Sequence, residues 1–291
     1  MTIKVSDRTY GLILALPGLI ALFLLILFPL FLVIYTSFLR YDNIHPITFA
    51  GILNYVKVIQ NIEFFPSLIR GFIFCAGSTS FSFLISLISA SCLSRIRKLQ
   101  SFFRALIILP WAVPLVLTGF IFNWIFNPSY GMIPDLLIKL NLMHENLNIF
   151  INPYTAMGGI IIADAWTRIP FLTVLILSAI ESIPQDLYEA AEIDGASVIQ
   201  SFRYITLPLI KNICLIGISI TLMFSFRTID IIITMTPMGG VGKNTYVVGY
   251  FLFDLLNRFL NFGEASALGI IFMLISFIFG FPFLILSSRE K

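Results

Sequence analysis

A chain of 291 residues with 58% hydrophobic and only 11% charged residues carries less than half the charge that keeps a soluble domain solvated, about a quarter of its residues. Its main solvent is lipid, which excludes a soluble globular fold. The net charge of +3 is too small and too dispersed for a nucleic-acid partner.

A helix needs about 20 apolar residues to cross the hydrocarbon core, and such runs cover about 11–35, 68–93, 103–126, 155–181, 208–232 and 265–287. The expectation is an all-α integral membrane protein, one domain over 1–291, with six transmembrane helices. The first run is expected to stay in place. It is too long for a signal peptide, Met1 to Tyr10 carries only Lys4 and Arg8, and no Ala-x-Ala-like site precedes Tyr35. The second run holds Ser78, Ser80, Ser82, Ser86, Ser89 and Ser91, with Ser94 just beyond. Small residues let helix backbones approach closely, so this helix is expected inside the bundle.

Lys and Arg in short flanks set orientation. With both termini in the cytoplasm, the inside set is Lys4, Arg8, Arg95, Arg97, Lys98, Arg104, Arg203, Lys211, Arg289 and Lys291. The outside set, Arg40, Lys57, Arg70, Lys139, Lys243 and Arg258, is smaller and spread over longer segments. The outside loops, about 36–67, 127–154 and 233–264, are rich in turn residues such as Asn127-Pro128, Asn152-Pro153 and Gly239-Gly240.

Cys75, Cys92 and Cys214 lie in apolar runs without C-x-x-C spacing and read as small buried hydrophobes. His45 and His144 fall in separate polar loops. No metal or other cofactor is expected. Gly239-Gly240-Val241-Gly242-Lys243-Asn244-Thr245 imitates a phosphate loop, but Pro237 stands where its first glycine belongs and Asn244 replaces the hydroxyl residue. No H-E-x-x-H or G-x-S-x-G pattern suggests an enzyme.

Between the fourth and fifth runs, the loop 182–207 has helical organisation. Ser182 and Gln185 have capping-box spacing, Pro184 sits in the first turn, and Asp186 complements the dipole. Gly195 can take the left-handed conformation that ends such a helix, and a second helix is expected over about Ala196 to Tyr204. Asp186, Glu189 and Glu192 share one face, with Leu187, Ala190, Ala191 and Ile193 as a small apolar counterpart. An acidic face is repelled by anionic lipid, so a protein groove suits this helix better than a membrane surface.

Leu187-Tyr188-Glu189-Ala190-Ala191-Glu192-Ile193-Asp194-Gly195-Ala196, followed by Phe202 to Ile210 with Leu207-Pro208-Leu209, resembles the EAA loop of ABC importer permeases. The resemblance extends over about 10–287, and several stretches are similar to the carbohydrate-uptake branch. These are Trp166-Thr167-Arg168-Ile169-Pro170-Phe171, Pro110 with Pro114, Gly263-Glu264-Ala265-Ser266-Ala267, and Gly239-Gly240 with Thr245 and Tyr250. Pro237-Met238-Gly239-Gly240 departs from the family's Thr-x-Gly-Gly-Pro turn. The resemblance implies a six-helix permease in a prokaryotic inner membrane. It implies that Glu189, Ala190, Ala191, Asp194 and Gly195 dock a partner ATPase, which binds and hydrolyses the ATP. It also implies two such ATP-binding subunits, a second permease, and an external solute-binding protein that delivers a sugar or oligosaccharide. Importers of glycerol phosphate, polyamines or amino acids share the EAA loop, and a secondary transporter remains the rival outside the class.

Two charge pairs interrupt the apolar runs. Asp164 and Arg168 are four apart, Arg227 and Asp230 three apart, so each pair shares a helix face and can neutralise itself. The residues leave two readings open: structural pairs, or a polar lining of the translocation path. Sugars suit hydroxyl-bonding groups and aromatic faces, and Asn123, Trp124, Trp166, Arg168, Phe226 and Asp230 are the candidates for that lining.

Overall fold

The computed structural model describes residues 7–96, 98–141 and 148–288; the basic markers Lys4, Arg97, Arg289 and Lys291, and His144, lie outside them. The chain divides into two compact units, one formed by residues up to Phe64 with Leu252–Leu274, the other by Phe65–Phe251 with the residues from Ile275 onward.

In the first unit, α1 (Asp7–Leu22) passes through a π-helical turn at Phe23–Leu27 into α2 (Phe28–Ser37). The wide turn has a local cause: Pro29 offers no N–H to the carbonyl one turn back and its ring crowds that carbonyl, so the ladder slips by one residue. A short antiparallel pair, β1 (Leu39–Arg40) and β2 (Thr48–Phe49), precedes α3 (Leu53–Gln60). The final helix starts at Phe262 and is held to these elements by backbone and side-chain contacts. Asn54 donates from Nδ2 to the carbonyls of Ser37 (2.8 Å) and Leu39 (2.7 Å). The Gly263 N–H donates to the Tyr41 carbonyl at 3.0 Å, and a Cβ at 263 would lie 2.3 Å from the Leu39 carbonyl oxygen. Thr36 and Ser266 share a hydroxyl bond of 2.7 Å, Lys57 pairs with Glu264 at 3.3 Å, and Ala265 and Ala267 are buried. The Gly-Glu-Ala-Ser-Ala stretch is therefore a clasp in which each residue has its own contact.

The second unit contains α4 (Phe64–Leu93), α5 (Gln100–Ala112), α6 (Leu115–Ile125), α7 (Met132–Lys139) and α8 (Pro153–Glu181). It continues through α9 (Gln185–Ile193), α10 (Val198–Ser201), α11 (Leu207–Arg227), α12 (Asp230–Met235) and the start of α13 (Val248–Asn257); α14 (Phe262–Ser288) closes the chain. Leu14–Ser37, Phe64–Leu93, Pro153–Glu181 and Val198–Arg227 are long and apolar enough to cross a membrane. In the last of the six expected runs, the apolar stretch with described side chains is Phe262–Ile278.

The run expected as one helix over 103–126 is broken: α5 and α6 meet at 96°. Pro114 restrains Val113 to extended backbone (φ −79°, ψ 125°), which ends α5 and restarts the helix at Leu115. The expected fifth run, 208–232, also stops early, at Arg227, because Thr228 is extended (φ −70°, ψ 127°). The serine-rich helix packs as expected. Ser78, Ser82 and Ser86 are fully buried at a four-residue spacing on one face, while Ser80 is exposed. Of the cysteines, Cys75 and Cys214 are buried, but Cys92 is exposed. At one end of this unit Ala90, Leu93, Ile176, Leu177, Ile180 and Ile210 form an apolar cluster that joins the ends of α4 and α8 to the start of α11.

Candidate functional site

Beside that cluster hangs the loop carrying the EAA-like residues. Helix α9 has Pro184 as its N-cap, with no side-chain cap. Ser182, expected to cap it, instead ends α8, donating its hydroxyl to the Ala179 carbonyl at 2.7 Å. Gly195 adopts φ +77° as its position requires, and the Ala196 N–H reaches back to the Ala191 carbonyl at 2.9 Å, closing a Schellman-type end. The capping box lies in the next helix. Ser197 accepts from the Gln200 N–H (3.4 Å), while its own N–H donates to the Gln200 side chain (2.6 Å). Its S-x-x-Q signal was as legible as that at 182–185. The second helix is shorter than expected, Val198–Ser201, and passes through a π-helical turn at Phe202–Thr206 into α11, one residue before Pro208, just as the first π turn precedes Pro29.

Tyr188 and Ala191 are the partly buried residues of α9; Glu189, Ala190, Asp194 and Gly195 are exposed. The apolar residues Leu187, Ala190 and Ile193 therefore face outward, with Ile193 86% exposed and Ile199 beyond it 76% exposed. An apolar helix face left exposed among the described residues is a surface that another body can cover. Inside the loop lies a cleft of about 540 Å³, lined among others by Ser91, Arg95, Glu181, Tyr188, Glu192 and Thr206. At the same end Glu181 accepts from Gln100 (2.8 Å) and pairs with Arg104, joining the start of α5 to the end of α8.

The two charge pairs diverge. Asp164 is fully buried and bonds Arg168 at 2.9 Å. It also accepts from Ser78 of α4 and Ser225 of α11, both at 2.6 Å, and Arg168 donates to Thr228 at 2.5 Å. Three helices meet in one network, which is how a carboxylate is retained away from water. Arg227 and Asp230 do not pair among the described residues. The break at Thr228 puts them on different helices, Arg227 ending α11 and Asp230 opening α12, where a carboxylate complements the dipole.

The other lining candidates scatter. Asn123 donates to the Met235 carbonyl at 3.0 Å, tying α6 to α12. Trp166 packs edge-on against Phe122, Trp124 is exposed near Tyr130, and Phe226 is buried, stacked on Phe72 at 5.1 Å. The exposed neighbour is Phe224, which the Arg168 guanidinium covers at 5.7 Å. Phe171 lies edge-on to Phe224 at 6.5 Å, and Trp111, 61% exposed, stands 6.2 Å from Phe171. Trp111, Phe171 and Phe224 thus form an open aromatic row ending on a cation. The spacing of Arg168 and Phe171 hinted at this, but no sequence signal distinguishes Phe224 from Phe226. No group of three or more His, Cys, Asp or Glu among the described residues could hold a metal ion.

The profile of a family described as the binding-protein-dependent transport system inner membrane component matches residues 82–290. The trehalose/maltose transport system permease MalF of Thermococcus litoralis is 32% identical over 270 residues, covering 92% of this chain and 90% of that protein. The sulfoquinovosyl glycerol transport system permease SmoG of Agrobacterium fabrum is 30% identical over 276 residues, covering 94% and 89%. Among solved structures, a chain of a bacterial ABC transporter that imports the acidic polysaccharide alginate superposes with a TM-score of 0.82 at 20% identity, covering 98% of this chain and 97% of its own.

Proposed function

The chain belongs to the family of inner membrane components of binding-protein-dependent transport systems, and on that premise we propose that it forms half of the translocation path of an ATP-driven importer for a sugar or oligosaccharide. It is a helical permease subunit of the ABC importer type. Six spans in one permease domain, with both termini and the loop 182–207 in the cytoplasm, complete the reading. A second permease, two ATP-binding subunits and an external solute-binding protein complete the assembly. Glu189, Ala190, Asp194 and Gly195 meet the ATPase, and Ala191 supports α9 from its inner side.

The carrying observation is the outward apolar face of α9, ended by Gly195 at φ +77°. It is a ready surface for a groove and is uncovered among the described residues. For the solute, the names of the two relatives point to sugars. The row Trp111–Phe171–Phe224 beside Arg168 offers aromatic faces for C–H surfaces and a donor for hydroxyls.

Co-purification tests the docking. A β-branched residue at a left-handed position costs about 1–2 kcal/mol or more, so Gly195→Val is expected to strip the ATPase subunits from the purified complex. Retention of those subunits would contradict it. Uptake of radiolabelled trehalose and maltose, against glycerol phosphate, spermidine and glutamine, by vesicles holding the whole system tests the solute. Uptake confined to one of the last three would sink the sugar reading.

A further inference from the structure

The cleft leaves α9 suspended, with one polar tie to the helices above it. Tyr188 Oη and Thr206 Oγ1 are 2.8 Å apart, and among the described residues no other side-chain hydrogen bond joins α9 to α4, α8 or α11. Thr206 is 5% exposed and closes the π-helical turn at the foot of α11. From there α11 runs 21 residues without a break, about 30 Å at 1.5 Å per residue. Its far end carries Phe224 on the aromatic row, Ser225 bonded to Asp164, and then Thr228 bonded to Arg168. Beside the backbone, which joins α9 to α8 through residues 182–184, one hydrogen bond, one wide turn and one long helix thus connect α9 to the polar network.

We propose that Tyr188 is a positioning residue for transport: its hydroxyl bond to Thr206 passes movement of α9 to α11, and through α11 to the Asp164–Arg168 network. The proposal rests on the ATPase-docking reading of α9. It needs a tie that is polar and single. A broad apolar contact would move with α9 whatever Tyr188 carried, whereas a lone hydroxyl pair fails when either oxygen is removed. The adjoining π turn, held open by Pro208, is a place where helix geometry can change without breaking the chain.

The test uses the whole complex, purified with its ATPase subunits, in nanodiscs, with MgATP and vanadate as the probe and amide hydrogen exchange as the readout. In the wild type, trapping is expected to alter exchange in both 185–196 and 219–230. In Tyr188→Phe and Thr206→Val the change at 185–196 should persist. The change at 219–230 should fall by about fivefold or more, the lower end of ordinary coupling factors. Thr206→Ser, which keeps the hydroxyl, should behave as wild type, and the double variant Y188F/T206V should be no worse than either single change. An undiminished response at 219–230 in both single variants would overturn the proposal. So would loss of the ATPase subunits from Y188F, which would make Tyr188 a docking residue. Absence of ATPase subunits from the wild-type complex would overturn the docking reading itself, and the proposal with it.

Discussion

Two regions of the same unit treat their unusual residues in opposite ways. Around Asp164 a charge in apolar surroundings has both oxygens engaged, by Arg168, Ser78 and Ser225, and is wholly buried. In the loop 185–201 apolar residues are left open, with Ile193 and Ile199 among the most exposed large apolar side chains of the described residues. An unmet polar group inside a bundle has no water to fall back on, so its partners come from the same chain. An unmet apolar group at the surface costs far less, and its complement can belong to another protein. The carboxylate is met within its own chain; the apolar face of the loop is left exposed among the described residues.

The sharpest way to break this comparison is Asp164→Ala. Removing one partner of a buried pair strands the Arg168 cation, and a loss of about 3–5 kcal/mol is expected, read as a large drop in the melting temperature of the purified complex. An unchanged melt would show that the network is not closed. Next is Phe226→Ala, which empties a packed site between α4 and α11 for about 3 kcal/mol. Its neighbour Phe224→Ala should stay within about 0.5 kcal/mol in the same melt and lower uptake instead. Equal effects of the two in both assays would erase the distinction between buried and open ring.

Gly263→Ala probes the clasp of the other unit, where a Cβ meets the Leu39 carbonyl. Overpacking of about 1–3 kcal/mol is expected, visible in the melt but not in ATPase co-purification. The smallest effect falls in the open loop. Ser197→Ala removes the capping box for about 1 kcal/mol. Faster amide exchange confined to 197–201, with no shift of the global melt, is the outcome that keeps the loop an independent element.

Much of this was legible in the residues. The interior packing of α4 followed from its small residues, the end of α9 from Gly195, and the pairing of Asp164 with Arg168 from their separation by four. What failed did so for identifiable reasons. Ser182 has capping-box spacing to Gln185, yet its hydroxyl had a nearer acceptor at the end of α8. Arg227 and Asp230 are three apart, yet the helix that would align them ends at Thr228. The run 103–126 is apolar throughout, and hydropathy does not register the bend that Pro114 imposes.

Composition and local spacing by themselves determined that this chain lives in lipid, that the serine-rich helix packs inside its unit, and that the loop after α8 holds a helix ended by Gly195. Those properties depend on residues within a turn or two of one another. Only the tertiary structure decided which of two phenylalanines stays exposed, that Asp164 gathers three helices, and that Tyr188 makes the one side-chain hydrogen bond, among the described residues, from α9 to the foot of α11. These depend on how helices far apart in sequence rotate against each other. A rotation of half a turn exchanges buried for exposed and leaves the hydropathy of every helix unchanged.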